Sequence, residues 1–164
     1  MHSRTIPVFT QFLGGLAKVL AKADAHVAAH NIAPEALLTF RLYPDMLNFT
    51  RQVQLTTDFS TRCMDRLTGR EVRSFPDTET GFAELIARVE AAQAYLATFT
   101  PAEFTGAGER MITLKMRSGE MTLPGEAFLE NYSRPQFFFH LTTAYDILRH
   151  NGVVLGKRDF MGAA

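Results

Sequence analysis

Apolar residues recur at spacings of three and four along four stretches of this chain, and that periodicity predicts four long helices. The first begins near Pro7 and ends near His30, with Phe9, Phe12, Leu13, Leu16, Leu20, Ala23 and Val27 on one face. Pro7 suits a first-turn position and Asn31 a C-cap. Gly14 and Gly15 interrupt this helix at about 1 kcal/mol each relative to alanine, which close helix–helix approach would explain. A short helical piece from Pro34 to Phe40 precedes the second long helix, which opens at Pro44-Asp45 and runs to about Leu67, closed by Gly69. Its stripe (Met46, Phe49, Val53, Thr56, Ser60, Cys63, Met64, Leu67) is polar in the middle. The third helix follows Phe75-Pro76-Asp77-Thr78, with Thr78 or Thr80 as its N-cap, and presents Phe82, Leu85, Ile86, Val89, Ala92, Leu96 and Phe99.

Between Arg110 and Leu123 the period drops to two. Ile112, Leu114 and Met116 alternate with polar residues, Ser118-Gly119 supplies a turn, and Met121 and Leu123 resume the alternation, which predicts a β-hairpin. The last helix lies between Pro124 and Asn151, with Pro135 expected to kink or break it and its strongest part at Phe137 to His150. The expected fold is mainly α: a single domain over residues 1–164, an antiparallel four-helix bundle with a small β-hairpin before the last helix.

Composition changes this picture little. A chain of 164 residues with 46% hydrophobic positions, 14 of them Phe, fills one core without staples. Lys+Arg and Asp+Glu balance at 17 each, so the basic excess that nucleic acid or an anionic membrane surface selects is missing. No stretch reaches the ~18 apolar residues of a membrane span, and the N-terminus has no signal-peptide pattern, so a cytoplasmic location is expected. Cys63 is the sole cysteine, which leaves no intrachain disulfide and reads as an inert core thiol.

The candidate chemistry gathers on the last helix. Phe137, Leu141, Ala144 and Ile147 are the helical neighbours of His140, so its imidazole points toward the core or a pocket opening from it. A buried imidazole without a partner costs roughly 1–3 kcal/mol. Asp45, Asn48, Gln52 and Thr56 of the second helix, and Tyr145 or Arg149 of its own, are the candidate partners. Two readings stand side by side: a satisfied structural network, or a ligand pocket in the bundle bordered by His140, Gln52, Asp45, Asn48, Tyr145 and Arg149.

Other features read as ordinary surface. His26 and His30, at i and i+4, fit a solvated helix end, with a metal pair as the alternative. Asp58, Arg62, Asp65 and Arg66 read as a solvated, salt-bridged face. The apolar tail (Val153, Val154, Leu155, Phe160, Met161) is expected to dock on the bundle or on a second subunit, or to form a flap near His140 with Lys157 and Arg158. No phosphate loop, nucleophile elbow or zinc-protease motif occurs.

Asp45-Met46, Arg51-Gln52-Val53-Gln54 and Ser74-Phe75-Pro76-Asp77-Thr78-Glu79-Thr80 resemble a bacterial domain-of-unknown-function family, DUF1993. The last block matches best, with Phe138-Phe139-His140-Leu141-Thr142-Thr143-Ala144-Tyr145, then residues 147–152 and Gly156-Lys157-Arg158-Asp159-Phe160; the resemblance spans nearly the whole chain. That family is similar to the wider DinB-like group of four-helix bundles, often dimeric. Many of these hold a divalent metal with three histidines, one on the second helix and two on the last, and some are thiol-dependent transferases or isomerases. The resemblance therefore implies a DinB-like bundle and a homodimer. Only His140 falls on the metal pattern: Gln136 precedes it by four residues, Ala144 follows it by four, and the second helix has no histidine. No cofactor is expected, and His140 is the lone candidate ligand should a divalent metal bind, with Asp45 and Gln52 as replacement donors. Three functions follow: a small-ligand-binding or regulatory bundle with a pocket near His140; a divergent DinB-like enzyme, metal-assisted or thiol-dependent, with an incomplete metal triad; and a structural or oligomerisation module.

Overall fold

The computed structural model describes residues 1–116 and 119–162. The expected turn at Ser118 lies outside the described residues. In chain order the elements are α1 (His2–Ala29), α2 (Glu35–Leu38), α3 (Phe49–Thr68), α4 (Phe82–Leu96), β1 (Met111–Met116), β2 (Gly119–Pro124), α5 (Gly125–Phe128), a π-turn (Leu129–Ser133), α6 (Arg134–His150) and α7 (Lys157–Phe160). The protein is mainly helical, with one two-stranded antiparallel sheet pairing Met111 with Pro124 and Met116 with Gly119. Among the described residues no helix is long and apolar enough to cross a membrane.

Helix boundaries depart from the sequence expectations where a side chain or a tertiary contact outcompetes the local pattern. Helix α1 starts at His2, so Pro7 lies inside it rather than in its first turn. The added turn is held by Thr5 Oγ1 donating to Met1 O at 3.0 Å and by the His2 ring lying edge-on to Phe104 at 5.4 Å. At the other end Asn31 takes a left-handed φ of 53°, and Ile32 N–H donates to Val27 O at 2.9 Å, the closure in which such a residue follows the cap.

Helix α3 opens at Phe49, not at Pro44-Asp45, because Asn48 Oδ1 accepts the Arg51 N–H at 3.0 Å. The N-cap of α4 is Gly81 rather than Thr78 or Thr80; the Thr80 hydroxyl instead donates to Glu84 Oε2 at 2.9 Å. Pro135 does not end the last helix. It occupies the first turn of α6, directly after the π-turn. A proline ring clashes with the carbonyl four residues back, and the wider π-turn absorbs that clash while the chain stays helical.

Helix α1 packs along α4, and α3 packs along both α4 and α6. Their shared core holds Phe9, Leu13 and Leu20 from α1, Phe49, Val53 and Met64 from α3, Leu85 and Val89 from α4, and Phe137 and Ile147 from α6. Burying each such side chain is worth about 1.5–3 kcal/mol. The C-terminal segment closes on α1, with the Phe160 ring 5.6 Å from that of Phe12 and Lys22 Nζ 2.6 Å from Asp159 Oδ1. Gly15 makes that approach fit, since a Cβ there would lie 3.0 Å from both Gly162 N and Phe160 O. Close approach thus explains Gly15 against the terminal segment, while a Cβ at Gly14 would lie 3.3 Å from Gln93 Nε2 on α4, a long helix. Val153 and Leu155 are buried ahead of α7, while Val154 is exposed.

Candidate functional site

The spacing that turned His140 inward places it among Phe137, Leu141, Ala144 and Ile147, and only 7% of it is exposed. Its Nδ1 lies 2.7 Å from Gln52 Oε1, and the Gln52 amide nitrogen donates to Leu47 O at 3.0 Å. With that amide committed, Gln52 can only accept from the ring, so the imidazole carries its proton on Nδ1 and keeps a lone pair on Nε2. Among the described residues Nε2 has no hydrogen-bond partner, and it is not one of the fully buried atoms left unpaired. Burial, aided by the Arg51 guanidinium, lowers the His140 pKa from 6.5 to about 4, so the ring is neutral at pH 7. Phe59 stacks on it, with centroids 5.5 Å apart and planes 12° apart.

The other candidate residues do not converge on this ring. Asn48 is spent as the cap of α3, Asp45 is exposed in the preceding loop, and Arg149 is exposed in the last turn of α6. Tyr145 faces another side of α6, edge-on to Phe160 at 5.6 Å. Thr56 Oγ1 donates to Gln52 O at 2.8 Å on its own helix. The tail packs on α1 and Tyr145, not over His140.

Residues present around His140 do not fit a divalent metal. Among the described residues its hydrogen-bond partner is an amide already engaged, and no three His, Cys, Asp or Glu side chains converge. The His26 and His30 rings lie 4.2 Å apart at the exposed end of α1, and His30 Nδ1 is 2.9 Å from His26 O.

Phe59 also lines a partly enclosed cavity of about 130 Å³ between α3, β1 and the π-turn. Its apolar lining is Leu55, Phe59, Cys63, Leu114 and Phe128; its polar lining is Asp58, Arg62, Arg66, Tyr132 and Ser133. The π-turn presents Tyr132 to the cavity, and the Tyr132 ring stacks on Phe128 with centroids 5.8 Å apart. Burial pushes the Cys63 thiol up to about 12, so it is an inert wall. Arg66 also borders a wider surface groove along β1, shared with Gly69, Val72, Arg110 and Lys115.

The charged run on α3 is not a solvated face. Asp58 and Asp65 are 2% and 0% exposed, because α4 and the extended segment 70–80 cover them. Asp65 accepts the Tyr95 hydroxyl at 2.7 Å and the Arg73 N–H at 2.9 Å. Asp58 Oδ1 accepts from Arg88 Nη2 at 2.9 Å, and its Oδ2 lies 3.0 Å from Arg62 Nη2 without hydrogen-bond geometry. Desolvation dominates over these cations and raises the Asp58 pKa above 3.8. Arg88 itself is buried and also binds Thr57 Oγ1, Pro76 O and Glu79 Oε1. The Arg66, Tyr132 and Arg88 roles escaped the sequence reading; the i, i+4 charge spacing was visible, but nothing local marked the segment that covers it.

The chain as a whole is similar to a crystal structure of a DinB family member protein from Shewanella denitrificans. The two share 36% identity and a TM-score of 0.92, over 99% of this chain and 92% of that one. The fold is DinB-like. Residues 1–161 match the family described as Domain of unknown function (DUF1993), and the chain belongs to that family. Among curated proteins none matches.

Proposed function

We propose that this protein binds a small organic molecule in the cavity between α3 and the π-turn, within an antiparallel four-helix bundle. The observation that carries the reading is the cavity itself: aromatic walls at Phe59 and Phe128, with Arg66 and Tyr132 on its polar side. Ligand sites are commonly built this way, apolar for affinity with a few polar groups for orientation. A dry cavity of ~150 Å³ accommodates benzene, so about 130 Å³ suits a body of one small ring. His140, kept neutral by burial and the Arg51 guanidinium and hydrogen-bonded to Gln52, stacks on Phe59 and steadies that wall. An NMR titration with benzene tests the reading. Expected shifts centre on Phe59, Leu114, Phe128 and Tyr132; saturating benzene that leaves those resonances unmoved refutes it.

A second reading, a divergent DinB-like enzyme, draws support from the unengaged Nε2 of a neutral His140. A base of that kind keeps its activity as pH falls until about 4. A profile breaking near 6.5, or a His140→Gln variant of full activity, counts against it.

A further inference from the structure

Arg66 sits where the cavity and the groove along β1 meet, since it lines both. It is half-buried, its guanidinium donates only to the Arg62 carbonyl at 3.4 Å, and among the described residues it faces no carboxylate within ion-pair distance. Most arginines nearby are matched: Arg62 by Asp58, Arg51 by Asp77, Arg70 by Glu103 and Arg134 by Glu130. The lining of the two cavities adds Arg110 and Lys115 to the cationic side. Its one carboxylate, Asp58, is already held by Arg88 and Arg62. Lys115 stands opposite Glu120 in the hairpin without an ion contact, and Arg110 rests over Gly69 at the C-terminal end of α3. The chain as a whole is neutral, so this local excess is a feature of the site.

From this placement, and resting on the pocket reading above, we propose that the ligand is a small organic anion. Its carboxylate meets Arg66 at the mouth, and its apolar body lies between Phe59 and Phe128. A guanidinium offers a carboxylate two parallel N–H donors in a fixed plane, and half-burial removes the water that would otherwise screen the pair. The nearest cations already push against one another: desolvation, then Arg62, lowers the Arg66 pKa, which an incoming negative charge relieves. The Tyr132 hydroxyl, with no hydrogen-bond partner among the described residues, is a second donor on the same cavity wall.

Benzoate and benzamide test this, because they match in shape and differ in charge. Chemical-shift titrations of the full chain at low ionic strength are expected to give benzoate at least a tenfold lower Kd than benzamide. The preference should shrink with added salt and vanish in Arg66→Met, which keeps the apolar stem, and in Arg66→Gln. Equal affinities in the wild type overturn the anion assignment and leave the pocket standing; a preference undiminished in both variants overturns the Arg66 contact on which the proposal rests. Failure of both compounds to perturb Phe59, Phe128 and Tyr132 overturns the proposal together with the pocket reading.

Discussion

Lowering the pH from 7 to 4 forces a proton onto a ring that this fold holds neutral. In the unfolded chain His140 takes up its proton near 6.5; in the folded protein burial and Arg51 delay that to about 4. Between those values the unfolded state binds more protons, so stability contributed by the neutral ring is fully present above 6.5 and is lost as pH falls toward 4. At 1.36 kcal/mol per pH unit the interval from 6.5 to about 4 corresponds to ~3 kcal/mol. The control is His140→Gln, which does not titrate and whose amide can still donate to Gln52 Oε1. Urea unfolding of both proteins from pH 7 to pH 4 isolates the difference, because the carboxylates titrate alike in the two. The wild type should lose ~3 kcal/mol more than the variant, and the His140 Hε1 resonance should titrate near 4. Parallel stability curves, or a His140 midpoint near 6.5, refute the reasoning.

Three further outcomes follow from the packing. Arg88→Met leaves the Asp58 carboxylate buried without its hydrogen-bonded cation, and should destabilise the protein by about 3–5 kcal/mol in urea unfolding, partly recovered by adding Asp58→Asn; a loss under ~1 kcal/mol contradicts the network's role. Cys63, with its thiol pushed up to about 12, should react with Ellman's reagent at pH 8 only as fast as the protein unfolds, and prompt modification of the native state would show otherwise. Gly15→Ala places a methyl 3.0 Å from Gly162 N and Phe160 O, so the terminal segment should lose hydrogen-exchange protection. The overpacking cost of ~1–3 kcal/mol exceeds the ~1 kcal/mol gained in helix propensity. Unchanged protection at α7 sinks that argument.

The fold was largely legible because periodicity reports burial. The stripes beginning at Phe9, Phe49 and Phe82 are buried as their spacing requires, and the switch to period two at Ile112 marks a real hairpin. Boundaries were less legible. Pro44-Asp45 carries a generic start signal, whereas Asn48 wins because its side chain reaches a specific N–H, and Pro135 is tolerated by a π-turn that no local pattern announces. At the site, the inward turn of His140 was readable from helical spacing, whereas Gln52 was one of several open candidates for its partner and only the packing of α3 against α6 selects it. Tyr145 and Arg149 were grouped with them by closeness in sequence, but five and nine residues on, at about 100° per residue, their side chains fall on other faces of α6. Arg66 and Tyr132 were unreadable, because their meeting depends on how the hairpin and the π-turn fold back over α3.

The proposed small-molecule cavity beside Phe59 can be seen directly. A crystal structure of protein purified without a tag and without added ligand tests it most directly. Non-protein density is expected against Phe59 and Phe128, with its polar end toward Arg66 and Tyr132. A cavity closed by its own side chains, with Tyr132 or Arg66 folded into the space, would contradict it.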